Sequence, residues 1–244
     1  MLLRRRPPSV APPLAVLVVL AAPVGLLAGC SGGSSSDGAS ESAASPEEVL
    51  AAAKTTLDET SGVELSLSTA SLPEGVTGIT SAVGTLTSAP AFEGQITVEL
   101  AGAGIEVPIV AVDDEVYAQL PLTPEFQVLD PADYGAPDPA RLLDPEDGVS
   151  ALLTETTDVV AGETVRGGAN NDEILTEYSG TVTDAVMTNI IPSAQGTFDV
   201  DYTVTEDDEL REAVLTGVFY PDSEEMTYTV DLENYGTERD IVAP

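Results

Sequence analysis

Few residues of this 244-residue chain could carry out catalysis. The sequence has no histidine and a single cysteine, Cys30, so general-base and thiol chemistry both lack their usual groups. The only lysine is Lys54, and alanine stands three positions before it, which excludes a Ser-x-x-Lys pair. The 42 acidic residues make close carboxylate pairs unavoidable, so such pairs carry little information. We therefore expect that the protein is not an enzyme.

Ligands for a metal ion are also poorly represented. The segments 144–148 (DPEDG) and 205–210 (TEDDEL) are acidic, but neither follows the ligand spacing of an EF-hand loop. Turn formation explains their composition equally well. We expect no metal site and no cofactor.

The surroundings of Cys30 point to a different use of its sulfur. Three arginines at positions 4–6 precede an uncharged apolar segment over residues 10–28, which is the pattern of a secretory signal. Residues 27–30, Leu-Ala-Gly-Cys, resemble the bacterial lipobox, in which cleavage leaves a lipid-modified cysteine as the first residue. The alternative is an ordinary signal peptide with an accidental cysteine. We predict lipidation of Cys30 and attachment to the outer face of the cell membrane.

The chain then divides into three parts. Residues 1–29 are the predicted lipoprotein signal peptide, and residues 30–45 are the lipidated cysteine followed by a flexible tether rich in glycine and serine. Residues 46–244 have the length of one domain. Beyond the signal peptide, five basic residues remain against 42 acidic ones. This balance excludes nucleic acid as a partner and disfavours direct contact with an anionic bilayer, so membrane contact is expected through the acyl anchor.

The domain is expected to begin with a helix and continue as a sheet. Ser45 and Glu48 flank Pro46 in a capping-box pattern, and apolar residues then recur on one face until Gly62. Helical segments are also predicted from Leu142 to Leu153 and over 184–191. Alternating apolar residues predict strands over residues 63–68, 78–88, 92–101, 104–112, 115–120, 159–166, 173–181, 196–205, 211–220 and 225–234. A mostly antiparallel sheet with helices on one face is an α+β fold.

Four sequence blocks, in order, resemble the actinobacterial LppX/LprA/LprF/LprG lipoproteins. They are residues 115–159, 164–182, 198–217 and 228–244. The first contains the Pro-rich crossing and the "LLDPEDGVSALL" segment, and the third contains "FDVDYTVTEDDELREAVLTG". The resemblance covers nearly all of residues 46–244. It implies a strongly curved antiparallel sheet, a half barrel, with helices packed on its concave side around an apolar cavity.

The resemblance also implies a function. Family members bind acylated lipids in the cavity, and some act with a membrane exporter to move envelope lipids outward. Alternation of side chains along the strands, and the apolar faces of the helices, nominate the cavity wall. The nominated residues are Val63, Leu65, Leu67, Phe92, Ile96, Val98, Leu100, Leu152, Leu153, Val186 and Ile190.

Two questions remain open at the level of sequence. An apolar residue that points inward can belong to a solid core instead of a cavity wall, which would suit a non-catalytic accessory lipoprotein of an envelope transporter. The scarcity of basic residues predicts the lipid class if a cavity exists, because anionic head groups need lysine or arginine close by. We expect a preference for neutral acyl lipids, such as acylglycerols, over anionic ones.

Overall fold

Helix α1 (Pro46–Glu59) opens the part of the chain that the computed structural model describes, which comprises residues 44–100, 102–134, 136–168 and 171–244. The Ser45 hydroxyl accepts a hydrogen bond from the Glu48 amide at 3.3 Å, and the Glu48 carboxylate accepts one from the Ser45 amide at 2.7 Å. This pair confirms the predicted capping box. Cys30, the predicted signal peptide and most of the tether lie outside the described residues.

The strands of the described residues form one antiparallel sheet. They are β1 (Gly62–Ser68), β2 (Gly78–Thr87), β3 (Ala91–Leu100), β4 (Ala103–Val112), β5 (Glu115–Ala118), β6 (Gln127–Leu129), β7 (Thr157–Gly167), β8 (Glu173–Thr183), β9 (Gln195–Thr205), β10 (Leu210–Val218) and β11 (Met226–Glu233). Their order across the sheet is β6-β5-β4-β3-β2-β1-β11-β10-β9-β8-β7. The sheet is curved but not closed, and β6 and β7 form its two edges.

The sheet consists of two meanders joined at its centre. Strands β1 to β6 are neighbours in chain order, and so are β7 to β11. Within the described residues, the two sets pair with each other along one seam, between β1 and β11, where Leu65 lies opposite Leu232. One face of both meanders carries the main cluster of buried apolar side chains, and we call it the apolar face. A small cluster of Ala91, Val110 and Ile241 is buried on the opposite face.

Two further helices and one 3-10 turn complete the layer that packs on the apolar face. Helix α2 (Val149–Glu155) packs against α1, and α3 (Asp184–Ile190) contacts β8 and β9. The 3-10 turn Pro139–Arg141 contacts β2, β3 and β4. These observations confirm the α+β fold with a curved sheet and helices on one side.

Helix α2 begins later than the sequence suggested. Leu142 and Leu143 lie in turns, and the helix begins only at Val149. The Asp144 carboxylate accepts hydrogen bonds from the amides of Glu146 and Asp147, which stabilises a turn in place of a helix. The apolar side chains of this segment therefore reach the core from a turn as well as from a helix.

An aromatic cluster fills the core beneath the helices. The rings of Phe198 and Phe219 lie 4.9 Å apart, and those of Phe219 and Tyr228 lie 5.0 Å apart in an edge-to-face arrangement. Tyr202 is fully buried, and its hydroxyl shares a 3.0 Å hydrogen bond with the Thr156 hydroxyl at the end of α2. Burial raises the pKa of Tyr202, so the phenol stays protonated and satisfied inside the core.

The opposite face of the sheet, the polar face, carries like charges on neighbouring strands. Glu212 lies directly across from Asp231, and Glu64 lies directly across from Glu233. Partial burial of Asp231 raises the pKa of its carboxyl, and the charge on Glu233 raises it further. Burial, Asp231 and Glu177 raise the pKa of Glu212 in the same way. The carboxylates of Asp231 and Glu212 therefore destabilise the folded domain when they are ionised.

Replacing Asp231 by asparagine is expected to raise the free energy of unfolding at pH 7 by about 0.5 kcal/mol. Because the pKa of Asp231 is raised in the folded state, wild-type protein regains stability as the pH falls through that pKa. The advantage of Asp231→Asn should therefore shrink on acidification and vanish below the pKa of an unfolded aspartate, about 3.9. Urea unfolding of both proteins from about pH 3.5 to about pH 7 measures the difference in their free energies of unfolding.

Asp199→Asn is the control, since the residues directly opposite Asp199 are the uncharged Thr181 and Thr216. An equal gain from both substitutions, or a gain from Asp231→Asn that does not change with pH, would show that the cross-strand repulsion is unimportant.

Candidate functional site

A strip of apolar side chains on β3 runs from the core to the solvent. Phe92 is 1% exposed, Ile96 and Val98 are partly buried, and Leu100 is 52% exposed. All four point to the apolar face, because side chains two positions apart on a strand share a face. Exposure therefore increases steadily along one strand, from a fully buried ring to an open end.

The neighbouring strands widen this strip. Val98 lies opposite Ile79 of β2 and opposite Ile105 of β4, and both isoleucines are only partly buried. We refer to Ile79, Ile96, Val98, Leu100 and Ile105 as the open strip. It is a continuous apolar surface across three strands that the protein leaves partly in contact with water, which is the kind of surface that binds an apolar partner.

The helices and the 3-10 turn that pack on the apolar face form what we call the covering layer, and its position explains why this strip is open. Arg141, in the 3-10 turn that contacts β2 to β4, forms a 2.9 Å ion pair with Asp114 in the turn between β4 and β5. That turn lies at the end of the sheet where Phe92 is buried, because Val112 pairs with Ala91. The open strip lies at the other end of the same strands, where Leu100 pairs with Ala103.

Glycines shape the floor beside the buried end of the strip. A Cβ atom at Gly84 would stand 2.5 Å from the ring of Phe92, and one at Gly94 would stand 2.6 Å from the same ring. The ring therefore lies directly on the backbone of β2 and β3. Side chains at these positions would force the ring away from the sheet, so the glycines are required for this close approach.

The structure places the eleven nominated residues in three environments. Six are buried in the core, three are partly buried against it, and two lie on the strip with less cover. The buried residues are Val63, Leu65, Phe92, Leu152, Leu153 and Ile190; those packed against the core are Leu67, Ile96 and Val186; the least covered are Val98 and Leu100. The strand residues share one face and the helical residues join the same core, except that Val186 also lines a pocket on the outer side of the helices.

Two pockets stand out among the described residues, and both are open to solvent. A groove of about 710 Å³ lies beside the ends of β1 and β11, and its lining is mainly polar. Its walls include Ser68, Thr69, Ser71, Glu74, Glu224, Glu225, Thr227 and Thr229. A smaller pocket of about 370 Å³ lies between α1, the turn before α2, and α3. The buried side chains between helices and sheet form one continuous core.

Sequence reasoning missed two members of the open strip. Ile79 and Ile105 were not nominated, although each is the direct neighbour of Val98. Ile105 could have been found from its alternation with Val107 and Ile109, which are both buried on the apolar face. Ile79 could not be found in this way, because a β-bulge in β2 interrupts the alternation of side chains directly after Ile79.

Four of the five basic side chains of the domain form ion pairs with carboxylates, and the fifth, Arg166, is exposed on the edge strand β7. Arg211 donates to Glu173 through two nitrogens, at 2.8 and 3.2 Å, and thereby holds the pKa of Glu173 below its usual value. Three further bases form ion pairs of 2.8 to 2.9 Å. These pairs are Lys54 with Asp58, Arg141 with Asp114, and Arg239 with Glu93. None of these four bases belongs to the open strip.

The described residues show neither a metal centre nor a membrane-spanning helix. No group of three or more cysteine and acidic side chains is placed to hold a metal ion within residues 44–244 as far as they are described. Among the helices of this region, none is both long and apolar enough to cross a bilayer. The open strip is the candidate functional site because it is a partly exposed apolar surface that continues into the buried core at Phe92.

An unclosed, curved antiparallel sheet with helices against its apolar face defines a class of half-barrel α+β domains. The crystal structure of LprF from Mycobacterium bovis has this fold, with a TM-score of 0.65 and 16% sequence identity over 82% of this chain and 96% of that one. LppX from Mycobacterium tuberculosis has it as well, with a TM-score of 0.57 and 17% identity over 81% of this chain and all of that one.

The model of the LppX_LprAFG lipoprotein family matches residues 45–242, and the chain therefore belongs to this family. The resemblance found in the four sequence blocks is confirmed. Comparison with curated protein sequences gives no match. Membership in a lipoprotein family implies attachment to the cell envelope through a lipid.

Proposed function

We propose that this protein is a lipid-anchored carrier that binds acylated lipids on the apolar face of its sheet and transfers them across the cell envelope. The observation that carries the proposal is the open strip, which joins a solvent-exposed leucine to the buried core along a single strand. An acyl chain needs apolar surface and no catalytic group, and the strip offers that chemistry. Membership in a lipoprotein family supports the same function.

Binding would begin on the strip and continue inward. An acyl chain placed along β3 passes Leu100, Val98 and Ile96 before it reaches the ring of Phe92, which is fully buried. Further entry requires that the helices move away from the sheet, because the helix side chains Leu152, Leu153 and Ile190 are buried in the same core as Phe92. The cavity implied by the family resemblance would thus form as the lipid enters, lined by the nominated residues of strands and helices.

The lipid is proposed to be neutral, such as an acylglycerol. An anionic head group at the mouth of the strip would need a basic side chain nearby. Four of the five basic residues of the domain, Lys54, Arg141, Arg211 and Arg239, are already paired with carboxylates, and the fifth, Arg166, lies on the edge strand β7 and not on β2, β3 or β4. Acidic residues outnumber basic ones by about fivefold in the sequence. Repulsion between a phosphate and this surface favours an uncharged head group.

The anchor and the partners follow from the sequence. Cleavage before Cys30 and acylation of its sulfur would attach the domain to the outer face of the cell membrane through a tether of 15 residues (31–45). A carrier held in this way works on lipids that leave the bilayer nearby. A membrane exporter that delivers such lipids is a possible partner.

A specific observation favours a second candidate function. The interior consists of tightly buried side chains, among them Leu86, Leu152 and Phe198 at 0 to 1% exposure, and both prominent pockets lie outside it. A domain with a permanently closed core would suit an accessory lipoprotein of an envelope transporter. The two functions differ in whether lipid enters the domain.

Mass spectrometry of lipids that co-purify with residues 46–244 from an actinobacterial host distinguishes them. This part of the chain carries no acyl group of its own, so any acyl lipid found is cargo. We expect roughly one molecule of neutral acyl lipid per protein. Mainly anionic phospholipid would contradict the proposed lipid class. Protein that is empty, and that takes up no fluorescent acyl probe, would favour the accessory function.

A further inference from the structure

The only lysine of the chain joins two helices of the covering layer. The Lys54 ammonium, on α1, donates to the Asp58 carboxylate at 2.8 Å and to the Ser150 hydroxyl of α2 at 3.2 Å. It also donates to the backbone carbonyl of Pro145, in the turn before α2. The Ser150 hydroxyl donates in turn to the second oxygen of Asp58. We call Lys54, Asp58, Pro145 and Ser150 the helix knot.

The knot is fully satisfied and connects distant parts of the chain. All three donors of the ammonium have acceptors, and both oxygens of the carboxylate accept a hydrogen bond. The residues that it joins are more than 90 positions apart in sequence. Ser150 is 1% exposed, whereas the side chains of Lys54 and Asp58 are 21% and 22% exposed. The knot thus reaches from the surface into the seam between α1 and α2.

The two helices bury apolar side chains on their other sides. Leu50 and Leu57 of α1, and Leu152 and Leu153 of α2, are at most 2% exposed and belong to the core beneath. Separation of α1 from α2 would therefore uncover apolar surface of the core. The knot is the polar contact that opposes this separation.

A pocket lies on the solvent side of the contact between α1 and α2. Its lining includes Lys54, Pro145, Ala151 of α2 and Val186 of α3, and its volume is about 370 Å³. Three helical segments therefore meet at one place with open space between them and with Lys54 on the wall. Open space therefore borders the position where the knot holds the covering layer together.

We propose that the helix knot is a latch that controls how fast the covering helices open to admit or release an acyl chain. This inference rests on the proposed function, because a latch matters only if lipid enters beneath the helices. The latch acts on rate: the knot must break for α1 and α2 to part, and it reforms when they close. Lys54 is thus a positioning residue that touches no lipid.

The test compares Lys54→Met with wild type in the chain from residue 30 onward, carrying Cys30→Ala so that no acyl group is attached. Methionine keeps most of the apolar stem and removes the ammonium. We expect about threefold to tenfold faster hydrogen exchange at the amides of α2, and faster uptake of a fluorescent diacylglycerol by a similar factor, since the two hydrogen bonds of the ammonium across the seam, to Pro145 and Ser150, are lost. Equilibrium affinity for the probe should change much less than the rate.

Two further variants control for stability. Ser150→Ala removes only the hydroxyl and should act in the same direction, so the test survives if Lys54→Met does not fold. Arg239→Met removes a different ion pair, with Glu93 on the polar face of the sheet, which does not join α1 to α2. It should leave exchange in α2 and probe uptake unchanged.

The outcomes separate the latch from the proposed function. Unchanged exchange in α2 would overturn the latch whatever the lipid does. Faster exchange with unchanged uptake, in a protein that binds the probe, would show that lipid does not enter between these helices and would also overturn it. If wild type binds neither the probe nor any co-purifying acyl lipid, the proposed function fails, and the latch fails with it even where exchange is faster.

Discussion

Gly84→Ala is expected to lower the free energy of unfolding by about 2 to 3 kcal/mol, because a single methyl group has no space at this position. Its Cβ would stand 2.5 Å from the ring of Phe92 and 2.7 Å from the carbonyl oxygen of Glu93. The ring is buried and the carbonyl belongs to the backbone, so neither can move without disturbing β2 and β3. Urea unfolding followed by circular dichroism measures the loss.

Gly104→Ala is the matched control for this prediction. Gly104 also lies in a strand, but a Cβ there would approach only the methyl group of Thr97, at 3.3 Å. Its stability should change by less than about 0.5 kcal/mol. Combining Gly84→Ala with Phe92→Leu should recover part of the loss, since the smaller side chain frees the space. Equal stability of the two alanine variants would refute the close packing of Phe92 on the glycine backbone.

Val98→Asp is expected to weaken binding of a fluorescent acyl probe by at least about tenfold, which corresponds to about 1.4 kcal/mol. Val98 is the central residue of the open strip, since it lies opposite Ile79 on β2 and opposite Ile105 on β4. A carboxylate there would have to lose water when an acyl chain covers it, and an uncompensated charge against hydrocarbon is costly. Fluorescence titration of purified protein gives the dissociation constant.

Thr97→Asp provides the control, because Thr97 is the adjacent residue and points to the polar face. The two variants have the same charge and the same position along the strand, and they differ only in the face that receives the carboxylate. Val98 is partly exposed in the free protein, so the variant should fold with little loss of stability. Equal affinities of the two variants would exclude the open strip as the binding surface.

Local patterns predicted the individual elements well. The capping box around Ser45 marked the start of α1, and alternation placed Phe92, Ile96, Val98 and Leu100 on one face. The short strand β6 and the 3-10 turns were not predicted, because the segment that contains them is rich in proline and has no period. Hydrogen bonds from the Asp144 carboxylate to the following amides likewise replaced the expected start of α2 with a turn.

Ile79 shows why alternation alone could not complete the site. The register between β2 and β3 shifts between Ile79 and Ser81, so Ile79 and Ala82 face the same side although they are three positions apart. A strict period of two that starts from Ile79 would place Val83 on the apolar face, yet Val83 is 51% exposed. The bulge is a property of the paired strands, and the sequence of β2 by itself does not reveal it.

Contacts between residues far apart in sequence decide whether the nominated residues line a cavity or belong to a core. Leu152, Leu153 and Ile190 are buried because the helices lie on a sheet built from both meanders. No local pattern gives the distance between those layers. The same limitation applies to Val186, which faces a pocket on the outer side although its neighbours on α3 reach the core.

The pairing of β1 with β11 has a consequence for the order in which the domain can fold. Pairings within each meander join strands that are close in the chain and can form early, whereas the central seam joins residues 64–68 to residues 229–233. Until the last strand has been synthesised, β1 is an unpaired edge at the middle of the future sheet. A chain that stops before residue 226 would therefore expose that edge permanently, and we expect such truncated forms to aggregate instead of forming a smaller soluble domain.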